Sequence, residues 1–265
     1  MSLLISSVFT YDEDAGNYIQ AVETADGQAL EPATRKAINN FVIGCKQDGI
    51  WPAIKASCIL AGARTLAGAL IPLAGTAPTN FNFVAGDYNR KTGLVGDGST
   101  KYLNSNRAEN QETGSNAHVS VFVTTPESRI SVNSFHLGAL SAAFRGTGIT
   151  QASDNNTYSY VQSDFTFLTP VRASANSLYG ARRSQVGEPI ILRIAGNNYS
   201  RNVQTNIFVS PSLLNYFIFA SNNNGPAASF ANSRLAFYSI GESLDLALLD
   251  ARVTDLINAF AVTIP

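Results

Sequence analysis

Residues 118–125 read HVSVFVTT, and this short stretch decides the fold. Val119, Val121 and Val123 occupy every second position in it. Successive side chains of an extended chain point to opposite faces, so the three valines share one face. A period of two therefore predicts a β-strand whose valines face a buried core.

Short runs of the same kind follow one another from about Pro78 onward. Turn residues separate them, mostly asparagine and glycine, which tolerate left-handed backbone. IAGNNYSRNV, residues 194–203, predicts a hairpin with Asn197 and Asn198 near its turn. Many short strands with regular turns indicate a β-sandwich or barrel. The other predicted strands are NTYSYVQS (156–163), DFTFLT (164–169), PIILRIAG (189–196), LLNYFIFASNNNG (213–225) and SRLAFYSIG (233–241).

Helical periodicity marks the first part of the chain. DEDAGNYIQAVETADG, residues 12–27, predicts a helix that Asp12 or Asp14 caps and Gly27 ends. EPATRKAINNFVIGCKQDG, residues 31–49, predicts a second helix that ends at an Asp-Gly dipeptide in the same way. A short link joins the two, so we expect them to pack as a hairpin or to lie on a larger body.

The last predicted element is one amphipathic helix over GESLDLALLDARVTDLINAF, residues 241–260. Ser243 is its predicted cap. A single helix after a full set of strands is expected to lie against the sandwich. Its apolar face is predicted to consist of Leu246, Leu249, Val253, Leu256, Ile257 and Phe260.

An apolar run, ASCILAGARTLAGALIPLAGTA at residues 56–77, has nearly the length of a membrane span. Arg64 and Pro72 interrupt it, and a charge in mid-membrane is costly, so we expect it to pack in the core. The sequence therefore predicts no membrane partner. It predicts a helical docking region over residues 1–76 and a β-sandwich over residues 77–265.

Composition narrows the class of protein. Only 14% of the residues are charged, and the net charge is -1. Asparagine, serine, threonine and glycine supply the polar surface instead, which suits secreted, extracellular or virion-borne β proteins. No run of lysine or arginine exists, so a nucleic-acid partner is not expected. Two cysteines make no disulfide framework, and we expect Cys45 and Cys58 to be buried free thiols.

The stretch GLVGDGSTKYLNSN, residues 93–106, invites three interpretations: a phosphate loop, a calcium loop or a turn between strands. Gly93 and Gly98 have phosphate-loop spacing, but Ser and Thr come before Lys101, where the motif needs the lysine first. Glycine allows positive φ, and Asp97 can bond the turn. The stretch is therefore predicted to turn a strand.

A calcium loop is a closer match at residues 12–23, DEDAGNYIQAVE. Acidic residues stand at loop positions one, three and twelve, but Gly16 and Asn17 are exchanged relative to the pattern. A plain helix with acids in its first turn accounts for the same residues. No metal and no cofactor are predicted.

Catalysis finds little support in the sequence. His118 and His136, the two histidines, are expected to be satisfied core or surface side chains. No nucleophile-elbow, HExxH or paired-cysteine motif is present. A glycosidase needs two carboxylates that face one cleft, and no strand carries two acids two residues apart. The protein is therefore predicted not to be an enzyme. The glutamates of the β region are Glu109, Glu112, Glu127, Glu188 and Glu242.

Tyrosines and asparagines that are expected on surface loops are the candidate binding residues. Aromatic faces can stack on sugars and amides can read hydroxyls, which would make a glycan-binding site. The alternative is that asparagines only build turns and tyrosines lean on the sheet. The candidate glycan-binding residues are Tyr158, Tyr160, Tyr179, Tyr199, Asn155, Asn156, Asn197 and Asn198.

Residues from about 80 to 265 resemble a laminin-G-like, concanavalin A-like jelly roll. The resemblance rests on GLVGDGSTKYLNSN, AHVSVFVTTPES and SRLAFYSIGESLDLALLDARVTDL. It implies a mainly β fold, a jelly-roll β-sandwich with an N-terminal helical segment and a C-terminal helix. The family's calcium and sugar ligands do not carry over, because no matching ligand motif is found. The matched positions of the first stretch are Leu94, Gly96, Asp97, Gly98 and Tyr102.

The leading part, from QALEPATRKAINNFVIGCKQDGIWPAIKA to LAGALIPLAG, is similar to virion or tail-fibre proteins of tailed bacteriophages. The resemblance implies a virion structural protein, assembled in the host cytoplasm, that projects from capsid or tail. Its lectin-like domain would bind a host-surface polysaccharide or another virion protein, and it would form a homo-oligomer. The alternatives are a capsid cement or decoration protein without a ligand and a glycan depolymerase on the same sandwich.

Overall fold

The computed structural model describes residues 10–112, 115–129, 131–142, 145–154, 156–163, 175–201 and 209–265. Over these residues the chain is mainly β, with two sheets, helices before them and a helix after them. The predicted β-sandwich with an N-terminal helical segment and a C-terminal helix is confirmed. The strand predicted over residues 164–169 lies outside the described residues.

The first sheet has the strand order β12-β11-β10-β6-β16-β4-β3, and β1 pairs with β16 beside β4. Its central strands β6 and β16 run antiparallel. The bounds are β1 (Ile54–Ile59), β3 (Tyr88–Asn89), β4 (Gly93–Val95), β6 (Ala117–Thr125), β10 (Ser177–Arg183), β11 (Ile190–Ile194), β12 (Asn197–Arg201) and β16 (Arg234–Gly241).

The second sheet has the order β15-β14-β7-β13-β5-β2, and β8 joins β7 to β9. One pairing in it is parallel, between β14 and β7. The bounds are β2 (Thr79–Phe81), β5 (Tyr102–Ala108), β7 (Ser134–Ala142), β8 (Arg145–Gln151), β9 (Thr157–Ser163), β13 (Asn215–Ile218), β14 (Ser221–Asn223) and β15 (Ala227–Ala228).

The core between the sheets contains the valines that the alternation predicts to be buried. Val119, Val121 and Val123 are each 0% exposed and pack with Leu103 of β5 and Leu94 of β4. The prediction of a strand with its valines inward is confirmed. Leu94 and the valines lie in one sheet, with β16 between their strands, whereas Tyr102 belongs to the opposite sheet.

A layer of helices covers the outer face of the first sheet. Phe122 and Phe237 point out of that sheet into an apolar cluster shared with the helices. Phe41 meets Phe237 edge to face, with ring centroids 5.8 Å apart. The bounds are α1 (Glu13–Asp26), α2 (Pro32–Gln47), α3 (Leu66–Ala69) and α4 (Leu246–Thr263), with 3₁₀ turns at Trp51–Ala53, Ala85–Asp87 and Glu109–Gln111.

The ends of the first two helices follow the predicted chemistry. Asp12 is the N-cap of α1, and its side chain accepts a hydrogen bond from the Asp14 backbone N–H. Gly27 ends α1 with φ of 64°, a conformation that glycine adopts without strain. Pro32 is the first residue of α2, as its position near a helix start predicts.

The C-terminal helix begins later than predicted. Asp245, and not Ser243, is its N-cap, because Oδ1 of Asp245 accepts hydrogen bonds from the Ala247 and Leu248 backbone amides. The predicted apolar face is confirmed, since all six of its residues are buried. The helix packs on α2 and on β10, where the side chain of Leu246 lies against Gly180.

The helical interpretation of the apolar run is wrong at its start. Residues 54–59 form β1, which pairs with β16, as in the pair Cys58 and Tyr238. Ala56 faces the core between the sheets, while Ile59 faces the helices. Both faces of β1 are thus buried, and this burial removes the period of two by which a strand is recognised. None of the described helices is both long enough and apolar enough to cross a membrane.

The stretch 93–106 turns the chain from the first sheet to the second, which confirms the predicted turn. Asp97 Oδ1 accepts from the backbone N–H groups of Ser99, Thr100 and Lys101 at 2.8–3.0 Å. Burial opposes ionisation of Asp97, but these hydrogen bonds outweigh it and lower its pKa. Lys101 forms an ion pair with Asp87, Nζ to Oδ1 2.6 Å, instead of lying where a phosphate loop needs it.

The hairpin predicted at residues 194–203 is present over its described part, residues 194–201, with its turn slightly earlier than the asparagines. Ile194 pairs with Asn197 across a two-residue turn of Ala195 and Gly196. Both turn residues have positive φ, 47° and 78°, as the commonest hairpin turns require. Asn197 and Asn198 are therefore the first residues of β12.

Candidate functional site

A pocket of about 210 Å³ opens on the outer face of the second sheet, over strands β7, β8 and β9. We call it the β7–β9 pocket. It combines three aromatic rings with polar groups, which is the usual composition of a small-molecule site. Its lining residues are Asn133, Phe135, Thr150, Ala152, Ser153, Asp154, Tyr158 and Tyr160.

The alternation of β9 brings two of the rings to this face. Val161 lies in the core between the sheets, so Tyr158 and Tyr160 lie together on the opposite, outer side. Tyr160 is 1% exposed, and its ring is nearly parallel to that of Phe135, with centroids 6.2 Å apart. Phe135 is also 1% exposed and Tyr158 is 4% exposed, so the three rings form a packed floor beneath the pocket.

Two glycines clear the space that Phe135 occupies. A Cβ atom on Gly138 would lie 2.8 Å from Cδ1 of Phe135, and one on Gly148 would lie 3.1 Å from Cε1. These two glycines pair with each other across β7 and β8. The ring of Phe135 can therefore lie close against the backbone of the sheet, where any larger residue would push it into the pocket.

Asp154 supplies the charge at the pocket. The Tyr158 hydroxyl donates a hydrogen bond to Oδ2 of Asp154, and the Asn156 backbone N–H donates to Oδ1 at 3.1 Å. The bond from Tyr158 lowers the pKa of Asp154. Burial, together with the neighbouring carboxylate, raises the pKa of Tyr158. At neutral pH the carboxylate is thus ionised and the hydroxyl keeps its proton.

Asn133 completes the polar lining. Its Oδ1 accepts a hydrogen bond from the Ser153 backbone N–H at 2.9 Å, which fixes the orientation of the amide. In the described part of the chain, its amide nitrogen has no protein partner. The pocket therefore offers an anionic acceptor and an amide donor above buried aromatic rings, a set that suits a ligand rich in hydroxyl groups.

The structure brings only some of the predicted site residues together. Tyr158 and Tyr160 line the pocket, and Asn156 adjoins it through its backbone bond to Asp154. Their predicted place on surface loops is wrong for the tyrosines, because both lie in β9 and are buried. Asn155 lies outside the described residues.

The remaining predicted residues lie elsewhere. Tyr179 is 1% exposed in the core between the sheets, where its ring meets His136 edge to face at 5.3 Å, so its predicted surface position is wrong. Tyr199, Asn197 and Asn198 are exposed on β12, at the edge of the first sheet. Their predicted role in glycan binding stays a prediction, and they share no surface of the β7–β9 pocket.

Six of the eight pocket residues were missing from the predicted site, and Phe135, Asp154 and Asn133 are the three that the site description depends on. Asp154 stands in the stretch SDNNTYSYV, directly before the predicted asparagines, so its sequence position was the available signal. Asn133 immediately precedes β7, and Phe135 is the second residue of that strand. Both stand about twenty residues earlier in the chain than Asp154. Only the pairing of β7 with β8 and of β8 with β9 brings them to the tyrosines.

The other candidate groups have structural partners. Nδ1 of His118 lies 2.6 Å from the Glu242 carbonyl oxygen, and Nε2 lies 2.7 Å from Ser239 Oγ. Burial lowers the pKa of His118 to about 4. His136 is buried beside Ser233 Oγ at 3.0 Å. Both predicted core histidines are confirmed.

The calcium-loop alternative at residues 12–23 is not supported by the geometry. Asp12 and Asp14 both pair with Lys46, at 2.6 and 2.7 Å, and Glu23 pairs with Arg35 at 2.6 Å. The segment is a continuous helix from Glu13, so the carboxylates do not converge on one point.

The predicted free thiols are confirmed, and burial raises the pKa of both Cys45 and Cys58 to about 12.

Comparison with known proteins places the fold. No protein-family model and no curated protein matches the chain. Among solved structures, the botulinum neurotoxin serotype D binding domain matches with a TM-score of 0.52 and 11% identity. The match covers 77% of this chain and 51% of that one, so this chain spans about half the length of that relative.

The likeness is one of fold. A second match, the CBM40 of the Ruminococcus gnavus IT-sialidase bound to α2,3-sialyllactose, has a TM-score of 0.38 and 8% identity. It covers 56% of this chain and 81% of that one. The binding domain of botulinum neurotoxin DC in complex with SialylT has a TM-score of 0.41, 11% identity and coverages of 63% and 42%.

Proposed function

We propose that this protein binds carbohydrate and that the β7–β9 pocket holds one sugar unit of a host-surface glycan. The observation that carries the proposal is the convergence of Phe135, Tyr158 and Tyr160 with Asp154 and Asn133 in one small pocket. The exposed carboxylate and amide match the hydroxyls of a sugar, while the buried rings give the pocket an apolar floor. The volume is below the roughly 300–1,000 Å³ of drug-sized sites, so it suits a single unit.

The fold supports a binding role. The solved structure with the TM-score of 0.52 is itself described as a binding domain. The proposal includes no catalytic step, and that absence of activity stays a prediction. Glu109, Glu112 and Glu127 are buried in internal bonds, whereas Glu188 and Glu242 are exposed.

We further propose that the protein is a bacteriophage virion structural protein, which projects from the capsid or tail as a homo-oligomer. The sequence resemblance of the leading part and the low charge support this role. The β1 strand, with which the apolar run 56–77 begins, is not part of the docking surface, because it is buried between the helices and the sandwich core. The docking surface must therefore lie elsewhere on the molecule.

Filling the mouth of the pocket tests the glycan site. Ser153 is exposed and lines the pocket, so a Ser153→Tyr substitution should fill it without disturbing the core. On a glycan array carrying bacterial surface polysaccharides and neutral oligosaccharides, we expect at least a tenfold loss of affinity, about 1.4 kcal/mol. Ser184→Tyr is the matched control, since Ser184 is an exposed serine in the loop after β10. Equal binding by the two variants would place the site elsewhere, and no binding by the unaltered chain would refute the function.

The assembly proposal has its own test. Oligomer interfaces are commonly symmetric and more apolar than the rest of a surface. We expect sedimentation at micromolar concentration to show an oligomer, and mass spectrometry of purified particles to find the protein. A monomer, together with a particle map in which residues 10–76 contact no other chain, would contradict it.

A further inference from the structure

A second aromatic surface lies at the β2 edge of the second sheet. Phe81 of β2 stacks on Tyr102 of β5, with ring centroids 4.3 Å apart and planes within 4° of parallel. Tyr102 in turn contacts Phe217 of β13 at 4.7 Å. Phe81 is 37% exposed, and Phe217 beneath is 6% exposed. We call the stacked rings of Phe81 and Tyr102 the Phe81–Tyr102 platform.

The platform lies on the face of the sheet that carries the β7–β9 pocket. Phe217 pairs with Gly138 of β7, and the ring of Phe135 lies over the Cβ position of that same glycine. Leu103 is buried in the core between the sheets, so Tyr102 beside it points outward. The outer face therefore presents aromatic rings at two places, one near each edge.

The separation of the two places exceeds the reach of one sugar unit. Strand β13 lies between β7 and β5, and β2 lies beyond β5. Three strand spacings of about 4.8 Å put Phe81 roughly 14 Å from the strand that carries Phe135. A ligand that uses both places must therefore be an extended chain that crosses β13 and β5.

The polar groups beside the platform are neutral. Asn104 Oδ1 accepts from the Asn106 backbone N–H at 2.9 Å, and the Asn82 amide donates to the Thr100 carbonyl at 2.9 Å. The nearby cation, Lys101, is already paired with Asp87. Stacked rings beside amides match an uncharged, hydroxyl-rich ligand better than they match a charged peptide or a lipid headgroup.

We propose that the Phe81–Tyr102 platform is a second subsite and that the ligand is a linear, uncharged oligosaccharide of several units lying across the strands. The inference rests on the proposed function, because the pocket holds one end of the chain. The exposed face of Phe81 would stack on a sugar ring several units from the one in the pocket. Chain length, and not only the terminal sugar, then sets affinity.

Chain length and Phe81 together test the second subsite. The full chain is titrated with neutral homo-oligosaccharides of glucose, galactose, N-acetylglucosamine and rhamnose, from one to six units. We expect affinity to rise with length up to the span of the two subsites and then to level off. Phe81→Ala should cost the longest bound oligosaccharide about tenfold and leave the single sugar unchanged. Phe81→Tyr should restore the long-chain affinity, because it keeps the stacking ring.

Val186→Ala is the matched control, since Val186 is an exposed apolar residue, 43% exposed, on the loop between β10 and β11. It should leave both affinities unchanged. Length-independent binding, or equal loss of short and long sugars in Phe81→Ala, would overturn the second subsite while the pocket stands. If no sugar of this series binds, the second subsite is overturned. If other glycans on the array still bind, the proposal that the β7–β9 pocket is a glycan site stands. Lost self-association of Phe81→Ala, with unchanged sugar binding, would make the platform a contact between copies and overturn the subsite.

Discussion

Replacing Phe237 by alanine is expected to lower the free energy of unfolding by about 3–5 kcal/mol, the usual cost of removing a large buried aromatic ring. Phe237 is fully buried on β16, between Ile59 of β1 and Phe122 of β6, and its ring meets Phe41 of α2. It thus joins the helical layer to the first sheet. For a chain of this size, the loss corresponds to a fall in Tm on the order of 10 °C.

Calorimetry checks both the size of this loss and the number of transitions. Because Phe237 belongs to one cluster with residues of α1, α2 and α4, the helices and the sandwich should unfold together in a single transition. Leu248→Ala, at a position 37% exposed on α4, is the control and should change stability by less than about 0.5 kcal/mol. Two separate transitions would instead support the predicted division into a region over 1–76 and a sandwich over 77–265.

Replacing Glu127 by alanine is the second change with a large expected effect. Glu127 Oε1 accepts from Nε of Arg129 at 2.8 Å, and Oε2 accepts from the Asn232 backbone N–H at 2.8 Å. Arg129 also donates to the Gly98 carbonyl at 2.9 Å and to the Phe230 carbonyl at 2.5 Å. The pair therefore holds three separate segments of the chain together at one end of the sandwich.

We expect the Glu127→Ala variant to lose roughly 2–3 kcal/mol. This is below the 3–5 kcal/mol of a fully buried pair, because the Arg129 side chain is 33% exposed. Glu242→Ala is the control: its side chain is 49% exposed, and its pair with Lys55, at 3.4 Å, should contribute less than about 1 kcal/mol. Urea unfolding at pH 7 measures both losses, and equal losses would contradict the assigned role of Glu127.

The pH dependence of the free energy of unfolding tests the same ion pair of Glu127 and Arg129. Burial opposes ionisation of Glu127, but the hydrogen bonds from Arg129 and Asn232 outweigh it and lower its pKa from 4.5 to about 2. A lowered carboxyl pKa stabilises the fold fully above pH 4.5, and this stabilisation is lost as the pH falls toward 2. Between these values, the stability of the unaltered protein should fall more steeply than that of Glu127→Ala.

Local chemistry explains which elements the sequence predicts well. The Asp12 cap, the Gly27 stop and the turn at Asp97 each depend on contacts within a few residues, so the local sequence contains the whole signal. The alternation of 118–125 is equally local, because the three valines stand at every second position of one short stretch. These features of the fold follow from residues that are neighbours in the chain.

Features that depend on distant partners could not be predicted in this way. β1 is a strand because it pairs with β16, and the residues around Cys58 give no local sign of that partner. Tyr160 and Tyr179 both lie in buried strands, yet one lines the pocket and the other lies in the core. Which face of a strand turns inward depends on the sheet it joins, so the sequence predicted only two of the eight pocket residues.

The pairing of β1 with β16 has a consequence for how the protein is made. Cys58 and the Tyr238 hydroxyl that donates to its sulfur are separated by 180 residues. At a synthesis rate of 5–20 residues per second, the ribosome delivers the second partner roughly 10–40 s after the first. During that interval both apolar faces of β1 lack their partner strand in the nascent chain. The first sheet is therefore completed only when β16 (Arg234–Gly241) emerges, and chaperones have that interval in which to protect the waiting strand.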